Sequence, residues 1–343
     1  MRGSERQYRA GIIGCGRIAS TIQDEFESKP GIQIFPYGHA GSYRSSDRAA
    51  LVAAADPSLE RRRAFGERWE IDALYESVEE MLASEQLDIV SICAPTRDHA
   101  RIFEQVAGSV SAVLLEKPIS ITLAEADRMV ELARGRNVHV AVDHTRTFDS
   151  FYRQAKAVID EGLIGEVKTI FALWGEGWSG GGSHLFDLIR YLTGSRPDWV
   201  FCHPDGSGEP DSGGSAYLHY RNGVNMFVEA PYGGVAPLEV DIVGTGGRIR
   251  VGTYRFQLFV NDTSRGYPVP TEWPFFGRMY MSSGLTTAIN ELVEAIEGGP
   301  PPASTLEDAR AALEIAVALN DSAARAAPVT LPISNREAGV NAY

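Results

Sequence analysis

The chain is poor in cysteine: Cys15, Cys93 and Cys202 are the only three among 343 residues. An odd, widely scattered set argues against a disulfide framework and offers no zinc-ligand spacing, so no metal is expected. It fits a reducing, cytoplasmic compartment. Long apolar runs are missing as well. None approaches the roughly 18 residues that a membrane-spanning helix needs. The polar first residues lead straight into a strand-like stretch rather than a signal-peptide core, so neither a secretory leader nor a membrane partner is expected. Positive charge is also scarce. The formal net charge is −13, and the one basic run, Arg61-Arg62-Arg63, has Glu60 and Glu67 nearby. That pattern reads as a solvated helix face and argues against a nucleic-acid footprint.

What remains is an ordinary globular composition, 44% hydrophobic and 22% charged, able to fill real cores. At 343 residues the length favours two domains. Residues 8–13, 51–55, 89–93, 112–115 and 138–142 are short, apolar and bounded by turn residues; amphipathic stretches at 59–69, 99–107 and 123–133 lie between them. Strands alternating with helices predict βαβ units and a parallel sheet buried on both faces. After about Asp143 the rhythm changes. A helix at 151–161, a strand at 167–173 and a helix at 183–192 precede β-like runs at 216–220, 225–229, 238–243, 248–251 and 256–260. The Asn222-Gly223 pair is a hairpin signal, and the stretch 204–214 reads as a loop. Helices at 285–296 and 306–324 close the chain. The expected fold class is an α/β Rossmann domain, residues 1–143, plus an α+β domain with a mostly antiparallel open sheet, residues 144–343. The final segment is expected to pack back on the first domain.

Gly14-Cys15-Gly16-Arg17-Ile18-Ala19 ends the first strand as G-x-G-x-x-A. Gly14 supplies the tight turn, Gly16 lets the backbone approach a pyrophosphate, and Ala19 lets the following helix pack on the strand. The helix N-terminus then offers free N–H groups and its positive dipole end to phosphate. Asp56 ends the second strand, where a carboxylate accepts the adenosine ribose hydroxyls and repels a 2′-phosphate, which favours NAD over NADP. It lies forty residues beyond Gly16, where roughly 20 is usual. The excess falls in residues 28–47, a polar and aromatic insertion holding Tyr37, His39 and Tyr43. An insertion of this length is expected to cover the active-site mouth and supply an aromatic or imidazole contact.

Four stretches, in order along nearly the whole chain, resemble the glucose–fructose oxidoreductase/inositol dehydrogenase (Gfo/Idh/MocA) family. They are the glycine turn, Ala94-Pro95-Thr96-Arg97-Asp98-His99, Glu116-Lys117-Pro118, and the C-terminal stretch from Glu291-Leu292 to Leu331-Pro332. The resemblance implies that Lys117 lies beside the nicotinamide and the substrate hydroxyl, that Glu116 accompanies it, and that Ala94, Pro95 and His99 form a cofactor-lining turn with Gly14, Gly16, Arg17, Ile18 and Asp56. A strand-end Lys sits where α/β folds bind ligands, and a nearby cation favours its neutral form, able to relay a proton. It also implies a second catalytic element, Asp-x-x-x-His-x-x-Asp, matched by His184 and Asp187 but with Gly180 where the first Asp belongs. His184 and Asp187 are i, i+3 neighbours and can face one cleft. Glu176 is the nearest carboxylate in sequence. His144 and Arg146 follow the sixth strand as candidate substrate-lining residues, and Trp174 and Trp178 offer an apolar wall for a sugar ring.

The implied activity is NAD-dependent hydride transfer between the cofactor and a secondary alcohol or ketone of a sugar, inositol or related polyol, in a homodimer or homotetramer. Two alternatives stay open: an NAD-binding sensor without turnover, and an enzyme that retains NAD for a net non-redox reaction.

Overall fold

A computed structural model describes residues 7–27, 36–175, 177–207, 211, 213–230, 238–252, 255–264, 266–267, 269–273 and 283–341. The chain divides into two compact units, one of residues 1–148 with 282–310, the other of residues 149–281 with 311–341. The sequence rhythm changes near Asp143, and the first unit runs on to Phe148.

The first unit carries six strands, β1 (Tyr8–Ile13), β2 (Ala49–Ala55), β3 (Ala73–Tyr75), β4 (Ile89–Ile92), β5 (Ala112–Leu115) and β6 (His139–Val142). They pair in parallel in the order β3-β2-β1-β4-β5-β6. Every residue of β4 and β5 is buried, as strands covered on both faces require. The covering helices include Thr96–Val106 and Leu123–Arg136. Thr122 and Glu125 form a reciprocal capping box at the start of the latter, and Asn137 ends it at φ 54°. The helix Gly284–Ile296 returns to this unit and buries Leu285, Ala288, Ile289, Leu292 and Val293 in its core. Between β2 and β4 lie β3 and the helix Val78–Ser84, neither expected. Three residues of strand and seven of helix are too short for a hydrophobic period to register. The strand order reverses between β1 and β4, the point where doubly wound sheets bind ligands.

The second unit holds β7 (Val167–Leu173), β8 (Pro197–Pro204), β9 (Gly214–Tyr220), β10 (Asn225–Ala230), β11 (Glu239–Gly244), β12 (Gly247–Gly252), β13 (Arg255–Asp262), β14 (Val269–Trp273) and β15 (Val329–Thr330). Their order is β14-β13-β12-β11-β7-β10-β9-β8-β15, antiparallel except where β10 lies parallel to β7. The Asn222-Gly223 turn joins β9 to β10, with Gly223 at φ 83°. One sheet face is core, with Ile170, Ala172, Met226, Val228, Val240 and Ile242 buried; the helix Ser150–Asp160 packs against β12 and β13 and against the helix Gly181–Thr193. The other is open. Phe171, Leu173 and Phe227 stand 49%, 47% and 43% exposed, and the Phe171 and Phe227 rings stack at 5.3 Å. No helix among the described residues is long and apolar enough to cross a membrane.

Candidate functional site

The glycine turn connects β1 to a five-residue π-type helical turn, Arg17–Thr21, where a helix is expected. Gly14 has φ 93°, and a Cβ on it would meet the Cys93 carbonyl at 2.8 Å, so no other residue fits. A Cβ on Gly16 would meet nothing within 4 Å among the described residues. That open side faces a cleft of about 770 Å³ lined by Gly14, Gly16, Arg17, Ile18, Asp56, Arg61, Ala94, Pro95 and Arg101 among others. The cavity falls in the size range of ligand pockets, and its polar backbone rim and arginines suit a pyrophosphate.

Asp56 is buried at the end of β2. Its Oδ2 accepts the Cys15 N–H at 2.9 Å and its Oδ1 the Ser58 N–H at 2.8 Å. The carboxylate therefore shapes the glycine turn as well as reaching the cleft, and each oxygen keeps a lone pair for a ribose hydroxyl. Arg61 lines the same cleft and Arg62 donates to the Asp56 and Pro57 carbonyls, so basic groups come closer to Asp56 than the linear spacing suggested.

Pro95 precedes the helix Thr96–Val106. His99, expected to line the cofactor turn, is instead 1% exposed behind it. Its ring nitrogens sit 2.8 Å from the Ala94 carbonyl and 2.9 Å from the Pro118 carbonyl, stapling the turns after β4 and β5. Burial lowers its proton affinity. Lys117 is half-buried in the next turn, with a cis bond to Pro118. Glu116 faces inward, where Oε2 accepts the Lys117 N–H at 3.2 Å and Oε1 lies 3.0 Å from His39 Nε2. Asp143, at the end of β6, completes a buried group whose donor atoms all lie within 4.8 Å of one another.

The insertion is thus not a cover over the mouth in its described part. His39–Arg44 is a buried helix, with Tyr43 Oη 2.8 Å from Ser91 Oγ inside the core; residues 28–35 lie outside the described residues. His144 is also turned inward, its Nδ1 3.0 Å from Ser304 Oγ, while Arg146 is half-buried in the short helix Thr145–Phe148.

In the second unit His184 occupies the first turns of the helix Gly181–Thr193, half-buried, and Asp187 is buried one turn on. The Asp187 Oδ1 accepts from Arg190 Nε at 3.0 Å, so its charge is matched from its own helix. Gly180 carries no side-chain cap. Asp211 instead anchors the residues that lead into the helix: its Oδ1 accepts the Ser179 N–H at 2.7 Å and its Oδ2 the Gly180 N–H at 3.1 Å. A Cβ on Gly177 would lie 1.8 Å from the Asp211 carbonyl, so glycine there is what admits the segment. Glu176 lies outside the described residues. Trp174 and Trp178 are each 1% exposed, which removes them as a sugar-binding wall. Trp174 Nε1 donates to the Gly181 carbonyl at 2.7 Å, and Trp178 packs on Phe186.

A parallel six-stranded sheet with a glycine turn and a cleft of cofactor size at its switch point, in a chain that also carries a mostly antiparallel sheet unit, is a dinucleotide-binding architecture. Residues 8–144 match the family described as an oxidoreductase family with an NAD-binding Rossmann fold, and residues 152–250 match the GFO/IDH/MocA C-terminal domain. The chain belongs to the GFO/IDH/MocA oxidoreductase family. It is 25% identical to the myo-inositol 2-dehydrogenase of Thermotoga maritima, over 92% of this chain and 96% of that protein. It is 26% identical to the scyllo-inositol 2-dehydrogenase (NAD(+)) of Bacillus subtilis, over 98% and 100%. Among solved structures, the myo-inositol 2-dehydrogenase of Lactobacillus plantarum shares its fold, with a TM-score of 0.74 and 22% identity over 95% of this chain and 99% of that one.

Proposed function

We propose that the protein is an NAD-dependent dehydrogenase that oxidises a secondary alcohol of an inositol, sugar or related polyol, and reduces the corresponding ketone. Bound in the cleft, NAD supplies the hydride acceptor. Gly14 and Gly16 leave its pyrophosphate room, and Asp56 accepts ribose hydroxyls and disfavours a 2′-phosphate. Lys117 and His184 are assigned to the alcohol proton. Asp187, charge-matched by Arg190, holds His184 or a substrate hydroxyl. The open sheet face carrying Phe171, Leu173 and Phe227 is assigned to a second copy of the chain, giving a homodimer or homotetramer.

The observation that carries this reading is the Glu116-Lys117 turn. A lysine is held by a buried carboxylate at the carboxyl end of β5, two strands from the glycine turn of a cleft of cofactor size. The Thermotoga maritima and Bacillus subtilis relatives named above, both inositol dehydrogenases matched over nearly the whole chain, support the substrate class. The test is a panel of inositols, aldoses and aldonic or uronic acids with NAD and with NADP, followed at the nicotinamide absorbance. Turnover of a polyol with NAD is expected. Tight cofactor binding with no turnover across the panel would favour a sensor, and substrate conversion without net reduction of cofactor would favour retained-NAD chemistry.

A further inference from the structure

The carboxyl ends of β4, β5 and β6 bury ionisable groups that the proton transfer just assigned leaves unused. Glu116 N–H bonds to the Ile92 carbonyl and Asp143 N–H to the Leu115 carbonyl, which sets Cys93, Glu116 and Asp143 on adjacent strand ends. His39 enters from its own helix, 0% exposed, with Glu116 at 7% and Asp143 at 4%. Burying such groups costs several kcal/mol each unless they are matched; here His39 Nε2, Glu116 and Asp143 each meet a partner, while His39 Nδ1 makes no hydrogen bond among the described residues. His39 Nε2 meets Glu116 Oε1 at 3.0 Å, the Asp143 carboxyl lies within 4.8 Å of both, and Thr145 Oγ1 donates to Asp143 Oδ1 at 2.7 Å. The remaining Glu116 oxygen grips the Lys117 backbone.

We propose that His39 and Asp143, acting through Glu116, are positioning residues for Lys117, fixing both its backbone and the charge it faces. The inference rests on the assignment of Lys117 to the proton. The groups facing one another are His39, the Cys93 thiol against its ring, Glu116, Asp143 and Lys117. Burial, then the charge of Glu116, pushes the Asp143 carboxyl up to about 6. Burial opposes ionisation of Glu116, yet His39 and Lys117 hold it below the usual carboxylate range. Burial likewise opposes a charged His39, and Cys93 and Glu116 outweigh it, holding the imidazole well above its ordinary value. The cluster therefore keeps an imidazolium against one carboxylate, and a second carboxyl beside them changes charge near pH 6. Glu116, which accepts the Lys117 N–H, links that ionisation to the lysine.

The chain has only four lysines, Lys29, Lys117, Lys156 and Lys168, so ¹³C-methylation of the lysine amines gives a spectrum in which Lys117 can be assigned by Lys117→Arg. In the full-length protein with NAD bound, the Lys117 resonance is expected to show an inflection near pH 6. Asp143→Asn removes that inflection. His39→Gln, which takes away the charge that lowers the Asp143 carboxyl, moves that inflection to higher pH. In turnover of the polyol identified by the panel, His39→Leu and Asp143→Leu lower kcat about tenfold or more, with KM and NAD affinity within about threefold, because only orientation is lost. His39→Gln and Asp143→Asn, which keep a hydrogen-bond donor toward Glu116, recover most of that loss. A Lys117 resonance indifferent to both substitutions overturns the proposal, as does an unchanged kcat in the two leucine variants. Stoichiometric zinc in the purified protein, lost in His39→Gln, would also overturn it by making the cluster a metal site. If Lys117→Ala itself costs nothing, the assignment of Lys117 fails instead, whatever the resonances report.

Discussion

At the carboxyl end of β5 the charged groups are buried, and each is matched by a neighbour on an adjacent strand end or on the helix His39–Arg44. At the start of the helix Gly181–Thr193 the backbone is nearly bare, running Ser179, Gly180, Gly181, Gly182, and its negative charge arrives from Asp211, about thirty residues on. The first turn is stiffened by strand ends whose spacing the sheet fixes. The second is held by a carboxylate borrowed from a connection between β8 and β9. The contrast teaches that a helix start with no acid of its own can take one from a distant connection, provided glycines make room for it.

The largest effects fall on the two residues these turns display. Lys117→Ala and His184→Ala are each expected to lower kcat by roughly 10²–10⁴, the usual contribution of a positioned acid or base. The double variant should be little worse than the poorer single one if both serve the same proton transfer; steady-state and single-turnover rates check this. Full activity in His184→Ala would remove it from the assignment.

Next is the borrowed carboxylate. Asp211→Ala leaves two amides without their charged acceptor, interactions of about 1.5–3 kcal/mol each, and should lower kcat/KM about tenfold or more. Gly180→Asp alone should also do harm, because it sets a second carboxylate beside Asp211. Combined with Asp211→Ser, it should recover activity. A double variant worse than either single one would show that position 180 has been rebuilt around glycine for another reason.

In the cofactor cleft, Asp56→Asn is expected to reduce the preference for NAD over NADP about tenfold, read by calorimetric titration of both oxidised forms. It keeps an acceptor for the Cys15 or Ser58 amide, so the loss reports on charge. Tighter binding of NADP by the unaltered protein would contradict the role given to Asp56.

The remaining effect is on stability. Asp143 has a folded-state value raised from 3.8 to about 6, so the folded protein holds its proton more tightly than the unfolded chain. Its contribution is most favourable below pH 3.8 and is lost as the pH rises from there through about 6. Asp143→Asn removes that loss. It should therefore stabilise the protein by about 3 kcal/mol at pH 8 and by much less near pH 4, as followed by denaturant unfolding at the two values. Equal effects at both would mean that burial and Glu116 do not set the Asp143 charge.

Much of the first unit was legible because parallel strands are long enough and apolar enough to announce themselves, and because Gly14, Gly16 and Lys117 occupy strand ends where backbone geometry restricts the residue. β3 and the helix Val78–Ser84 were too short to carry a period. β8 was hidden by Pro197, Asp198 and Pro204, so only its tail was read, as the start of a loop. The His39–Glu116–Asp143 cluster was not legible, since its members lie far apart in the chain and meet only once the sheet forms. The unusual Tyr and His content of the insertion was the available signal, but it pointed to a surface contact where the structure has a core one. Trp174 and Trp178 misled in the opposite sense: aromatics between glycines looked displayed, yet Trp174 donates to Gly181 and both are buried. Asp211 carried no signal at all, because an anchor from a distant loop leaves no spacing to read.

The most direct test of the account is single-turnover oxidation of the polyol that the panel identifies, with NAD already bound, in the unaltered protein and in Lys117→Ala and His184→Ala. The account predicts rapid appearance of reduced nicotinamide in the unaltered protein, slowed at least about a hundredfold in each variant while NAD affinity stays nearly constant. Equal rates in all three proteins would contradict it.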